Sequence, residues 1–219
     1  MSFTEDDYDI GQSFRSNYEK TKFIAEGIIR KAMKNGMNAK IYRVGHIANN
    51  SHHTRKEYIN SSNRIFQVIK GMINSRKIPF YYQEKISFSY VDIISKMMLM
   101  VISENIQTDQ YCFHIENPNY ISFIGISKII SSFGEKISLV DYDDFMSNMS
   151  LPYSDNEDVI LYRNWIERCI KNPTNAALNS NKTLDLFSSN GIVFPSRRDH
   201  YLKNIVSIIK EMDENLNLI

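Results

Sequence analysis

Tyr18 and Lys22 stand four residues apart in the stretch Asn-Tyr-Glu-Lys-Thr-Lys that begins at Asn17. On a helix that spacing puts both side chains on one face. A free phenol titrates at about 10 and is a poor acid at neutral pH. A neighbouring ammonium stabilises the phenolate and makes the proton easier to release. Such a pair can donate a proton to a developing alkoxide, and the ammonium can also hydrogen-bond a ribose diol. Ala25 and Ile29 continue the same face, which predicts that it turns toward the protein interior. The spacing alone is also met by a core tyrosine beside a lysine that snorkels to solvent.

Other groups carry less chemistry. Cys112 and Cys169 form no Cys-x-x-Cys pair and read as reduced core thiols of a cytoplasmic protein. His52 and His53, with Glu57 nearby, are a weak metal set in a polar stretch, so no metal site is expected. His114 lies within a strand pattern and reads as structural. Met97, Met98 and Met100 read as core packing. Asp141, Asp143 and Asp144 read as a helix cap and first-turn acids. Arg197 and Arg198 read as solvated surface.

The elements around the pair follow from periodicity. A helix is predicted over Asn17–Lys34, with Ala25, Ile28, Ile29 and Ala32 on one stripe and Asn35-Gly36 as its stop. The first 16 or so residues are polar and loop-like. A strand over Ala39–Val44 follows. A second helix, capped among Asn60, Ser61 and Ser62, carries Ile65, Phe66, Ile69, Met72 and Ile73. Ile86, Phe88 and Tyr90 alternate as a strand, and Asp92 is expected to cap the helix that carries Ile93 to Ile102. Further strands are expected over Tyr111–Ile115 and Lys136–Val140. Helices are expected over Ser122–Phe133 and Asn156–Lys171, and from about Asp199 onward. Strands separated by helices imply an α/β fold with a mainly parallel sheet, followed by a helical stretch.

The 219 residues, 42% hydrophobic and 23% charged, supply ample core for one large domain. With 26 Lys and Arg against 25 Asp and Glu, the net charge of +1 offers no electrostatic case for nucleic acid or an anionic membrane. No apolar run is long enough to span a bilayer, and the acidic start does not read as a signal peptide. None of the eight glycines forms the Gly-x-Gly-x-x-Gly turn that opens a dinucleotide-binding fold.

The text around the pair is more specific than its spacing. Asp9-Ile10-Gly11 precedes Tyr18 and Thr21-Lys22, and Ala25-Glu26 follows. Then come Ile41-Tyr42-Arg43-Val44-Gly45-His46-Ile47, Ser87–Leu99 (SFSYVDIISKMML), Tyr111–Ser122 (YCFHIENPNYIS) and Lys182–Pro195 (KTLDLFSSNGIVFP). In this order they resemble the thioester reductase domains that end nonribosomal peptide synthetases, within the extended short-chain dehydrogenase/reductase superfamily. Val44 replaces the proline usual in the strand-end motif. Relative to full-length members the chain lacks the N-terminal half, with its glycine-rich phosphate turn, its residues that select NADPH over NADH, and the Ser or Thr that assists the tyrosine.

The resemblance implies the C-terminal part of a Rossmann-like fold plus a mainly helical substrate-side lobe. It divides the chain at residue 110. Residues 1–110 are the end of the nucleotide-binding α/β domain, and residues 111–219 are mostly the substrate and carrier side. It implies NADPH-dependent reductive release of a carrier-bound peptidyl or acyl thioester as an aldehyde, or an alcohol after a second reduction. Tyr18 would be the acid and oxyanion donor, Lys22 would support it and hold the nicotinamide ribose, and Val44, Gly45, His46 and Ile47 would line the nicotinamide end. The implied partners are a carrier protein bearing phosphopantetheine and the upstream nucleotide-binding half. Two alternatives stay open: a non-catalytic carrier-protein or ligand-binding module, and part of a fatty acyl-CoA or carboxylic acid reductase.

Overall fold

The structure is a computed structural model, and it describes residues 2–52, 60–148, 156–173, 177–196 and 198–216. Expected and observed elements coincide closely at the first helix. Helix α1 spans Asn17–Lys34. Ser16 caps it by accepting from the Glu19 amide at 3.3 Å, and Glu19 reaches back to the Arg15 amide at 2.6 Å, a reciprocal closure of free N–H groups. At the other end Gly36 takes φ +95°, which a side chain would resist.

Two strands lie at the centre of the site's frame. Strand β2 (Ile41–Val44) pairs in parallel with β7 (Cys112–Ile115), Ile41 opposite Cys112 and Val44 opposite Ile115. Strand β3 (Ile47–Ala48) pairs in parallel with β6 (Ser89–Tyr90), and β4 (Lys77–Pro79) with β9 (Ser138–Val140). Strand β5 (Lys85–Ile86) pairs antiparallel with β8 (Ile121–Ser122). The expected strand through Ile86–Tyr90 is thus two short strands serving different partners. The N-terminal stretch, expected as loop, contributes β1 (Ser2–Phe3), parallel to β10 (Ala177–Leu178). Several of these pairings join residues on either side of residue 110.

The remaining helices carry the core. Helix α2 (Arg64–Ser75) is capped by Asn63, three residues later in the chain than Asn60, because Asn63 accepts from the Ile65 and Phe66 amides at 3.0 and 3.2 Å. Helix α3 (Val91–Ile102) begins after Tyr90 without a side-chain cap. Asp92 sits inside its first turn and binds Ser51 instead, which corrects its expected role as a cap. Helix α4 (Phe123–Ser132) is capped by Ser122, and α5 (Tyr142–Asn148) follows Asp141, which accepts from the Asp144 amide at 2.8 Å. Helices α6 (Glu157–Lys171), α7 (Asn181–Ser188) and α8 (Arg198–Leu216) complete the chain.

Phe66, Ile69 and Met72 of α2, Phe113 and Ile115 of β7, Ile126 and Ile130 of α4, and Ile166 of α6 share one core with Leu202 and Ile205 of α8. Helices α2 and α6 touch at Gly71, where an added Cβ would collide with the Asp158 carbonyl. Met97 is buried in this core, with Met98 and Met100 against it. Both cysteines are buried free thiols. Among the described residues no three ligand-type side chains gather as a metal site, and no helix is long and apolar enough to cross a membrane. His53, Glu57 and Arg197 lie outside the described residues.

Candidate functional site

Helix α1 buries none of its residues, yet its place over β2 is well defined by polar contacts. The Glu26 carboxylate accepts from Arg43 Nε at 3.0 Å and Nη2 at 2.6 Å, and from Arg30 Nε at 2.7 Å. Arg30 Nη1 donates to the Tyr111 hydroxyl at 3.0 Å, at the start of β7. Burial alone would raise the Glu26 carboxyl, but hydrogen bonds and charge from Arg43 and Arg30 hold it below the usual carboxylate range.

Arg43 has a second set of partners. Its Nη1 donates to His114 Nε2 at 2.7 Å and to the Thr4 carbonyl at 3.1 Å, and Nη2 donates to the Asp7 carbonyl. A guanidinium can only donate, so His114 Nε2 accepts and the proton sits on Nδ1, which donates to the Asn179 carbonyl at 2.8 Å. His114 is fully buried, as a structural role requires. Burial lowers its pKa, and the Arg43 charge adds to this. Thr183 donates to the buried Glu5 carboxylate at 2.7 Å and accepts from the His114 amide at 3.0 Å. One polar network thereby ties the N-terminal segment, α1, β2, β7 and α7 together.

These contacts fix the direction of α1. Arg30 is level with the start of β7 and Glu26 with Arg43 near the end of β2, so the helix runs antiparallel to the strands. At 1.5 Å per residue, Lys22 lies roughly 6 Å beyond Glu26 and Tyr18 roughly 12 Å beyond. Strand β2 ends one residue after Arg43, about 3.3 Å on. Tyr18 and Lys22 therefore stand past the carboxyl ends of β2 and β7, where open α/β sheets bind ligands. The Lys22 ammonium lies 5.4 Å from the centre of the Tyr18 ring. Tyr18 is 70% exposed and Lys22 is exposed, so the shared face opens onto this region and does not turn into the core as its apolar continuation predicts. The apolar stripe misleads because two of its members, Ala25 and Ile28, are themselves exposed.

The segment after β2 is held at nearly every residue. The Gly45 amide donates to the Ile115 carbonyl at 3.0 Å, and the His46 carbonyl accepts from the Ser89 amide at 2.9 Å. Asn63 Nδ2, from the cap of α2, donates to the Ile47 carbonyl at 2.9 Å. Ser51 donates to Asp92 through its amide at 2.8 Å and its hydroxyl at 2.6 Å. A side chain at position 45 would displace the Glu116 side chain, which lies directly across Gly45. Val44 is half-buried, and His46 and Ile47 are exposed beside it. The His46 ring is open to solvent yet walled by protein, with the Trp165 ring 5.4 Å away. That surrounding protein lowers the His46 pKa against the opposing pull of Glu116 and Glu84, so the ring is neutral at pH 7. Asn117 completes the frame by donating to the Phe88 carbonyl at 2.9 Å.

Glu26, Arg43 and Asn117 stand within the motifs around the pair, but no spacing rule marks them as the groups that hold α1 and the strand ends. Arg15 lies outside those motifs. It pairs with Glu84 at 3.0 Å and donates to the Asn172 carbonyl at 2.6 Å, which anchors the approach to α1 against the end of α6. No spacing rule connects residues so far apart in the chain.

The fold is mixed α/β, with a Tyr-Lys pair beyond the ends of two parallel strands. Residues 1–98 match an NAD-binding family model described as male sterility protein. Two reductase domains of known structure share the fold across nearly the whole chain. One is a thiolation-reductase di-domain from an archaeal nonribosomal peptide synthetase: 23% identity, TM-score 0.74, covering 98% of this chain and 44% of that one. The other is the terminal reductase domain of the myxalamid biosynthetic pathway: 18% identity, TM-score 0.76, covering 97% of this chain and 54% of that one. A glycine betaine reductase of Emericella nidulans is 21% identical over 139 residues, covering 64% of this chain and 11% of that protein. The chain thus spans about half the length of the solved structures it matches.

Proposed function

We propose that this chain provides the Tyr-Lys part of a nicotinamide-dependent reductase, one that releases a carrier-bound acyl or peptidyl thioester as an aldehyde. The observation that carries this reading is the placement of Tyr18 and Lys22, side by side and exposed, past the carboxyl ends of β2 and β7. These residues fit the group. An exposed phenol and ammonium lie past the end of β2, the strand from which the Val44–Ile47 backbone continues. NADPH, when bound, supplies the hydride that reduces the thioester carbonyl carbon. Tyr18 Oη donates its proton to the carbonyl oxygen as negative charge develops there. Lys22 stabilises the resulting phenolate and holds the nicotinamide ribose. Val44, Gly45, His46 and Ile47 line the nicotinamide end. The hemithioacetal then collapses to the aldehyde and the free carrier thiol.

In this reading the chain is the C-terminal portion of the reductase. Residues up to about 110 serve the nucleotide side. Most of the chain beyond serves the substrate and carrier side, apart from β7, which is paired with β2. Among the described residues β2 has no strand on its other edge, and α1 exposes Ile24 and Ile28 at 49% and 64%. The upstream nucleotide-binding half, with the phosphate turn and the assisting Ser or Thr, would cover these surfaces.

The test is turnover of an acyl-carrier thioester with NADPH once the upstream half is supplied. Tyr18→Phe should lower aldehyde release by about 10²–10⁴-fold, the range of general acid catalysis. Unchanged turnover would remove Tyr18 from the chemistry. Capture of a loaded carrier protein with no nicotinamide requirement and no turnover would favour a binding module instead.

A further inference from the structure

The substrate side of the site has a composition that the assigned residues do not explain. Trp165, the lone tryptophan, lies on α6 partly exposed and packed against the core that Val159, Tyr162, Ile166 and Cys169 of the same helix enter. Its ring is half-buried and meets the exposed His46 ring at 5.4 Å with 54° between planes. Such a large apolar ring left partly open beside a ligand-facing segment is a wall for a bound group.

The charges around this wall are unequal. The Glu116 side chain lies across Gly45, and its Oε1 accepts from the Ser87 hydroxyl at 2.9 Å. Among the described residues it has no cationic partner. Glu84 is the second carboxylate near His46, and Arg15, which pairs with Glu84, is the nearby cation. Among the described residues, Glu116 is thus the carboxylate near His46 that has no ion-pair partner. An aromatic face beside an uncompensated carboxylate attracts cations, through the ring quadrupole and through Coulomb attraction.

We propose that His46, Trp165 and Glu116 bound an acyl-group subsite that selects an acyl chain carrying a positive charge, seated between the indole face and the Glu116 carboxylate. The proposal rests on the reading above only in taking the surface next to the nicotinamide end, where His46 meets Trp165, as the acyl side of a thioester site. It is a specificity device and places no new group in the chemistry.

Trp165 provides the readout, because all tryptophan emission comes from the site. The probes are acetamidoethyl thioethers, which cannot be reduced, ending in trimethylammonium, in the isosteric tert-butyl group, or in carboxylate. Titrated into the 219-residue chain, the trimethylammonium probe should change the emission saturably and bind about tenfold more tightly than the tert-butyl probe, within the range of a cation over an aromatic face. Added salt should weaken only the charged probe. Glu116→Gln should remove most of the preference, and Trp165→Phe, followed by calorimetry, should keep its sign. Equal or tighter binding of the tert-butyl probe, selectivity indifferent to both salt and Glu116→Gln, or no saturable binding would overturn the proposal. No nicotinamide and no turnover enter the measurement. A failed reductase assay therefore leaves it standing, and its failure leaves the reductase reading standing.

Discussion

Replacing Glu26 with glutamine should loosen the docking of α1 without touching the core. The carboxylate receives three hydrogen bonds from Arg43 and Arg30, and all three side chains are only about 15% exposed. Glutamine keeps the shape, but it offers one acceptor oxygen and turns an NH2 group toward a guanidinium. Removing one partner of a fully buried ion pair costs about 3–5 kcal/mol. Partial access of water to this pair lowers the expected cost to about 2–3 kcal/mol. In a chain of this size each kcal/mol moves Tm by about 2–4 °C, so a drop of about 5–10 °C is expected. Urea and thermal unfolding at pH 7, followed by circular dichroism, measure it. A cycle with Arg43→Met should show coupling above about 1 kcal/mol, because the two changes remove the same contact. A loss below about 0.5 kcal/mol, or strict additivity with Arg43→Met, would refute the claim that this pair holds α1 in place.

Other expectations follow from the same contacts. Gly71→Ala should cost about 1–3 kcal/mol, read by urea unfolding, because its methyl group meets the Asp158 backbone and α2 must move away from α6. Burial holds the His46 and His114 pKa values below the ordinary imidazole value. Below about pH 6.5 the unfolded chain therefore takes up protons that the folded chain refuses. Stability should be full above that pH and fall as the pH drops below it, with a further fall in the carboxylate range as Glu26 loses its charge. Unfolding free energies measured from pH 8 to pH 4 test this, and a maximum below pH 6 would contradict it. Charging of His46 beside the indole should change Trp165 emission, with a midpoint below about 6.5 that His46→Gln abolishes. Titration of the isolated chain with NADPH should give no saturable binding, since the sequence contains no glycine-rich phosphate turn. Binding at roughly micromolar strength would mean that a complete nucleotide site exists.

What the sequence determined by itself was local. The Asn17–Lys34 helix follows from apolar spacing and a capping residue, and both signals lie within a few residues of each other. The order of motifs pointed to the reductase fold, which the two reductase domains of known structure share. That Tyr18 and Lys22 lie side by side was legible because their relation is a spacing on one helix. Tertiary structure decided the rest. The exposure of Tyr18 could not be read from the apolar residues of α1, because the helix is held by Arg43 and Arg30 through Glu26 and rests little on burial. Asp92 has the sequence signature of a cap, but its carboxylate was taken by Ser51, 41 residues away. Strand β1 and its partner β10 are two residues each, too short for any alternation to mark them. His46 meets Trp165 of α6, and the Glu116 side chain lies across the neighbouring Gly45; these residues come from three separate parts of the chain, and only folding brings them together.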